Sequence, residues 1–406
     1  MLSFNSLIIY KNIIPILFVK LLGLKLLSIF ESMENGSIIP FLALIIVLLF
    51  LFFSLFLFTV KTEKKLSNIL LATFLIVVAI DISAFFYTNF IQLPLALEML
   101  RVQISNFKDP LLFLYILSII YSNFKLKKIH FVHLLPWIID VVILIPNFFL
   151  VDEVSKVLFL NNFDETSEGQ FSSFLGYAIS LTYFVAELYY VIRYRKLLLE
   201  NYTDKNAFKN YKWLKQLLIL ITVGQVFTII KNISRHEYPL EVTNVLRIIT
   251  LTFGVFLIFW LVFKALNSPK IFRGIDVNLI PSKEIVLDNS LDTKTQQQIA
   301  LLKKYMDEEK PFLNPSLTIR NLALDMKFSM RELSVLINQS LNQHFFDFVN
   351  EYRIKEAMKI LKDPSKTSVT VLEILYEVGF NSKSSFNTAF KKQTGYTPTQ
   401  YRKTPQ

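Results

Sequence analysis

From residue 38 to 60 the chain reads IIPFLALIIVLLFLFFSLFLFTV, an uncharged run long enough to cross about 30 Å of hydrocarbon as a helix. Further apolar runs bounded by polar residues predict helices over 67–87, 132–150, 171–192, 213–230 and 245–265, with a shorter one at 110–122. After Ala265 these runs stop. Pro269, Gly274 and Pro281 punctuate a polar connector over 267–289, and helical spacing returns over 291–309 through Ile299, Leu302 and Met306. That helix is either a docking or dimer helix or an ordinary amphipathic brace.

A different pattern starts at Leu317. Thr318 can cap a helix with Ile319, Leu322, Ala323 and Met326 on its inner face; Lys327 and Phe328 form a tight turn; Ser329 caps a second helix with Leu333, Leu336 and Ile337 inward. The arithmetic recurs about 52 residues on, the distance from Phe328 to Phe380. Thr370 and Glu373 form a capping box, Ile374 and Leu375 take the inner face, Gly379 and Phe380 turn the chain, and Ser382 caps a helix with Phe386, Ala389 and Phe390 inward. Asn342 and Gly395 suit left-handed C-caps after each copy. Residues 345–361 form one long amphipathic helix between the copies. The expected class is all-α: a helical transmembrane bundle of about seven spans followed by a tandem helix-turn-helix domain. The expected divisions are 1–37, an N-terminal segment; 38–265, the bundle; 266–310, linker and connecting helix; and 311–406, the tandem domain.

Composition sharpens this. The 406 residues are 53% hydrophobic, above the soluble norm, and contain no cysteine, which excludes disulfides, thiolate metal sites and cysteine nucleophiles. The net charge of +11 suits an anionic partner or basic membrane loops. Lys61, Lys64 and Lys65, then Lys125, Lys127 and Lys128, then Arg193, Arg195 and Lys196 follow alternate spans, whereas Asp152, Glu153, Asp164, Glu165 and Glu168 share the loop over 151–170. The alternation requires seven helices, an external N-terminus and a cytoplasmic C-terminal domain. Residues 7–30 are apolar but interrupted by Lys11, Lys20 and Lys25; they read as an interfacial segment or as sequence upstream of a true start at Met33.

Asp81, Asp140, Glu187 and Lys215 fall within or beside the spans and are candidates for a sensor pocket, or else pair structurally between helices. His130 and His133 have no carboxylate at metal spacing and read as a polar interface. No cofactor, metal or catalytic constellation is implied, so an enzyme is not expected.

Lys383, Lys391, Lys392, Arg402 and Lys403 crowd the end of the chain, a distribution suited to phosphates. The stretch over 311–402, and above all GFNSKSSFNTAFKKQTGYTPTQYR (379–402), resembles the DNA-binding domain of AraC/XylS-type transcription regulators. Together with the preceding spans, it resembles their membrane-bound variety found among Bacteroidetes-like bacteria. The resemblance implies two recognition helices entering successive major-groove segments of double-stranded DNA. It places Met330, Arg331, Ser334 and Val335, and Lys383, Ser384, Asn387 and Thr388, toward bases; Lys391 and Lys392 sit late in the second recognition helix, away from the end that meets bases, which assigns at least one of them to phosphate. Lys327 departs from the turn glycine common in the family, and Thr388 stands where arginine is frequent. The function implied is a one-component regulator in the bacterial inner membrane, contacting the bilayer, DNA, an unidentified stimulus and, as a candidate partner, a second copy of itself. The competing reading is a membrane receptor whose helical tail recruits a protein instead of DNA.

Overall fold

The computed structural model describes residues 38–62, 65–121, 123–267 and 293–404. The segment over 7–30, the start at Met33 and the connector beyond Asn267 lie outside the described residues. The chain divides into two compact units, one drawn from Met1–Ile119, Asn123–Leu188 and Gln216–Ile275, the other from Ile120–Ser122, Tyr189–Lys215 and Asp276–Gln406. Among the described residues there is no strand, only an isolated bridge between Tyr202 and Thr318 in the second unit.

The first unit contains α1 (Ile39–Thr59), α2 (Lys65–Tyr87), α3 (Leu95–Ser105), α4 (Lys108–Ile120, all but its last residue), α5 (Leu135–Leu144), α6 (Glu153–Asn161) and α9 (Leu240–Asn267); α7 (Ser167–Asn201) and α8 (Lys209–Glu237) contribute to both units. Six helical stretches among the described residues are long and apolar enough to cross a membrane: α1, α2, Lys128–Phe149 around α5, α7, Lys209–Ser234 of α8, and α9. Their outer faces carry bare hydrophobics such as Phe52 at 73% exposed, as a lipid-facing surface requires. Inside, small residues set the spacing. The Ser54 hydroxyl donates across to the Ala72 carbonyl at 3.2 Å. Gly254 lets α9 approach α1, since a Cβ there would stand 3.3 Å from Ile46 Cδ1.

The short apolar run over 110–122 falls largely in α4, which follows α3 after a break at Asn106 and Phe107. Pro110 can sit in the first turn of α4 without losing a helical hydrogen bond. α3 escaped a hydropathy reading because it carries Glu98, Arg101 and Gln103, but the Arg101 guanidinium neutralises Glu98 at 2.8 Å.

In the second unit α10 (Thr293–Glu308) lays Leu302 and Met306 into a core with Leu322, Ala323, Leu333 and Ile337. The brace reading of this helix describes that packing. A second core joins Ile354 and Ala357 to Ile374, Leu375, Phe386 and Phe390. α13 (Phe345–Lys362) belongs to both, through Phe348 and Val349 at one end and Ile354 onward at the other. Its 18 residues extend about 27 Å, which fixes the separation of the two helical hairpins.

Candidate nucleic-acid interface

Each hairpin is capped as its sequence specifies. Thr318 Oγ1 accepts from the Asn321 amide at 3.2 Å to start α11 (Ile319–Asp325), and Ser329 accepts from the Glu332 amide at 3.1 Å to start α12 (Met330–Val335). Glu332 reaches back to the Ser329 amide at 2.8 Å, completing a capping box. In the second copy Thr370 and Glu373 cap α14 (Val371–Glu377) and Ser382 caps α15 (Lys383–Thr394). The turns superimpose in hydrogen bonding: Phe328 N donates to Ala323 O at 2.8 Å, and Phe380 N to Leu375 O at 2.9 Å. Both need a left-handed residue, Lys327 at φ 57° and Gly379 at φ 87°. Space explains why one is glycine. A Cβ on Gly379 would stand 2.6 Å from the Phe312 carbonyl oxygen.

The candidate DNA-facing residues divide by exposure. Arg331 is exposed and makes no ion pair among the described residues, so it is not held by Glu332, which is engaged in its cap. Met330 is half-buried against the first core, and Val335 is half-buried too. Ser334 accepts from Asn338 Nδ2 at 3.1 Å, and the helix then widens into a π-helical turn over Leu336–Ser340. In α15, Lys383, Ser384 and Thr388 are exposed and Asn387 is half-buried. The Thr388 hydroxyl donates to its own helix at Ser384 O, 2.7 Å away.

The basic residues also separate. Lys391 is exposed without an ion pair among the described residues, whereas Lys392 holds Asp347 at 2.8 Å. Arg402 donates to the Val369 carbonyl at 2.7 Å and is half-buried, so it fastens α16 (Pro398–Lys403) to the fold and leaves the basic tail. Arg320 on α11, which sequence reading passed over, is exposed and unpaired among the described residues. Its signal was a lone arginine just inside a cap.

Arg353 was also passed over, as one polar position of an amphipathic helix. It is 1% exposed and joins several elements of the second unit. Nε donates to Phe312 O at 2.7 Å, Nη2 to Asn314 O at 2.8 Å and to Thr203 Oγ1 at 3.4 Å, and the guanidinium lies 5.5 Å from the Phe380 ring centroid. Burial pushes it down to about 10, against the opposing field of Asp204, so it stays a cation at neutral pH. Thr203 in turn donates to Leu317 O at 2.8 Å, and Phe208 packs on Phe346 at 5.8 Å. The connection between α7 and α8 is thus part of the helix-turn-helix unit's own packing.

Of the four candidate sensor residues, Asp81 and Asp140 line one cavity of the first unit. Glu187 is buried and is not among the lining residues, with Oε1 lacking a partner among the described residues, and Lys215 is exposed in the second unit. His133 Nδ1 lies 2.6 Å from the Tyr183 hydroxyl, and its ring stacks 6.2 Å from that of His130.

Comparison with known proteins bears on the second unit. Residues 322–404 match a family model described as a helix-turn-helix domain. Over 84 residues the chain is 36% identical to an uncharacterised HTH-type transcriptional regulator of Pseudoalteromonas carrageenovora, covering 21% of this chain and 45% of that one. It is also 36% identical over 92 residues to the uncharacterised transcriptional regulatory protein YesN of Bacillus subtilis, covering 22% and 24%. A solved structure of the C-terminal domain of AraT, a response regulator from Geobacillus stearothermophilus, is 29% identical over 28% of this chain and 88% of that one, with a TM-score of 0.23. The chain spans less than half the length of the two curated relatives. Its C-terminal domain is an AraC-type helix-turn-helix domain of the kind found in transcription regulators.

Proposed function

We propose that this protein is a membrane-integral transcription regulator of the bacterial inner membrane, in which residues 38–265 sense a stimulus and residues 311–406 bind double-stranded DNA on the cytoplasmic side. The observation that carries the reading is the pair of capped helix-turn-helix hairpins held by α13 and Arg353 as one body, with Arg331, Lys383 and Lys391 exposed and free of internal ion pairs among the described residues. In this reading Arg331 offers a two-toothed donor to a guanine edge, and Lys391 and Arg320 neutralise phosphates. Thr388, its hydroxyl already bonded to Ser384 O, presents a methyl group suited to thymine.

The packing of Thr203 and Phe208 against the same body supports coupling of the two functions. α7 and α8 are membrane-span candidates whose connection holds the first hairpin, so a shift of either helix changes the frame in which both recognition helices sit. Cross-linking the intact protein to chromosomal DNA in cells and sequencing the captured fragments tests the proposal. Enrichment of a few sites sharing one motif is expected, and an even background across the chromosome contradicts it.

A further inference from the structure

The first unit contains an open cavity of about 890 Å³, within the range of small-molecule sites. Its wall is mainly apolar, with Phe50, Phe74, Phe184 and Phe253 among the lining rings. The break between α3 and α4 opens onto it through Asn106 and Lys108. Interrupted backbone at membrane depth is tolerated where it lines such a space.

Besides Lys108, Asp164 and Lys231, the charges on this wall fall into two groups. Asp81 and Glu98 are answered from within, Arg101 standing 3.9 Å from the first and 2.8 Å from the second. Asp109, Asp140 and Arg247 are not. Asp109 is buried, with Gln225 Nε2 at 3.3 Å and the Ser180 hydroxyl as its hydrogen-bond donors, and forms no ion pair with its chain neighbour Lys108 among the described residues. Asp140 is buried and receives a hydrogen bond from the Ser172 hydroxyl. Arg247 donates to Asn244 Oδ1 at 3.0 Å and lies over the Phe85 ring at 6.0 Å, with Lys231 over the same ring at 5.7 Å. No carboxylate pairs with Arg247 among the described residues.

Asp109 and Arg247 lie at different depths. Counted along the helices from the turn joining α8 to α9, Gln225 beside Asp109 lies about 18 Å in and Arg247 about 10 Å in, so the charges are offset by roughly 8 Å. An ionisable group inside a span is costly unless it is paired. An apolar chamber with the unpaired carboxylate of Asp109 at one level and the unpaired guanidinium of Arg247 roughly 8 Å away along the helices matches a molecule of opposite polarity.

We propose that this cavity is the sensor's ligand site and that it takes a small zwitterion, with a cationic nitrogen directed to Asp109, an anionic group to Arg247, and an apolar body between. This rests on reading the first unit as the sensor. Replacing a partner of a desolvated charge pair costs roughly thirtyfold in affinity.

The test is titration calorimetry on the full chain in phosphatidylcholine nanodiscs, with 6-aminohexanoate, 8-aminooctanoate, octylamine and octanoate as probes. At least one amino acid should bind about tenfold or more tightly than either singly charged probe. Asp109→Asn, with Asp109→Ser as the second arm should the first not fold, should remove the advantage over octanoate. Arg247→Gln should remove the advantage over octylamine. No binding, or one rank order shared by wild type and variants, overturns the assignment. DNA binding is read on the same preparation: if it persists while the probes fail, the zwitterion site is wrong and the regulator stands, and if it is absent while the probes behave as expected, the regulator reading fails alone.

Discussion

Lys327 and Gly379 occupy equivalent turns at positive φ, and their surroundings set opposite expectations for substitution. A non-glycine residue in the left-handed region costs about 1 kcal/mol, so Lys327→Gly should raise unfolding stability by up to about that amount. Gly379→Ala should lose more than about 2 kcal/mol, because its Cβ would meet the Phe312 and Leu313 carbonyl oxygens at 2.6 and 2.7 Å. Denaturant titration of both variants decides; equal effects would refute the steric account. At the DNA surface Arg331→Ala should cost about 1–3 kcal/mol on the preferred site and far less on scrambled duplex, whereas equal losses on both would assign Arg331 to phosphate. The turn glycine and the caps were legible because each depends on nearest neighbours in sequence. The surroundings of Arg353 and Arg402 were not, since they come from residues far along the chain.

Helices obey the same division. α14 and α15 stand where the caps put them, and the apolar runs correspond to long helices because few polar residues interrupt them. The α3–α4 pair defeated the pattern because its charges are satisfied internally. The hydrogen bond from the Thr370 amide, with the Thr370 hydroxyl, holds Glu373 below its ordinary range. A depressed carboxylate contributes stability above its unfolded pKa and loses it as pH falls through the folded value. Acidification below the usual glutamate range should therefore fray α14, and Glu373→Gln, which retains a capping acceptor, should flatten that part of the dependence; amide exchange at Val371–Glu377 reads it. Arg353→Met should destabilise the second unit by about 3 kcal/mol, since the Phe312 and Asn314 carbonyls lose their buried donor. A neutral result in chemical denaturation would show that water takes its place.

For the molecule as a whole the account joins a helical bundle to a DNA-binding body. Alternating loop charge predicts that a reporter fused after Ala265 reads cytoplasmic and one within residues 151–170 reads external. Both reporters on one side would contradict the seven-span topology. The central claim is that the intact membrane protein binds DNA through the exposed cations of its last hundred residues. The most direct measurement is the affinity of the full chain in nanodiscs for a duplex selected from genomic fragments, taken across a series of salt concentrations. The account predicts log K falling linearly with log salt, with the slope reduced by about one unit in Lys391→Ala and by less in Lys392→Ala, whose ammonium is shared with Asp347. Failure to bind any duplex at low salt, or a slope unchanged by Lys391→Ala at equal fold stability, would contradict it.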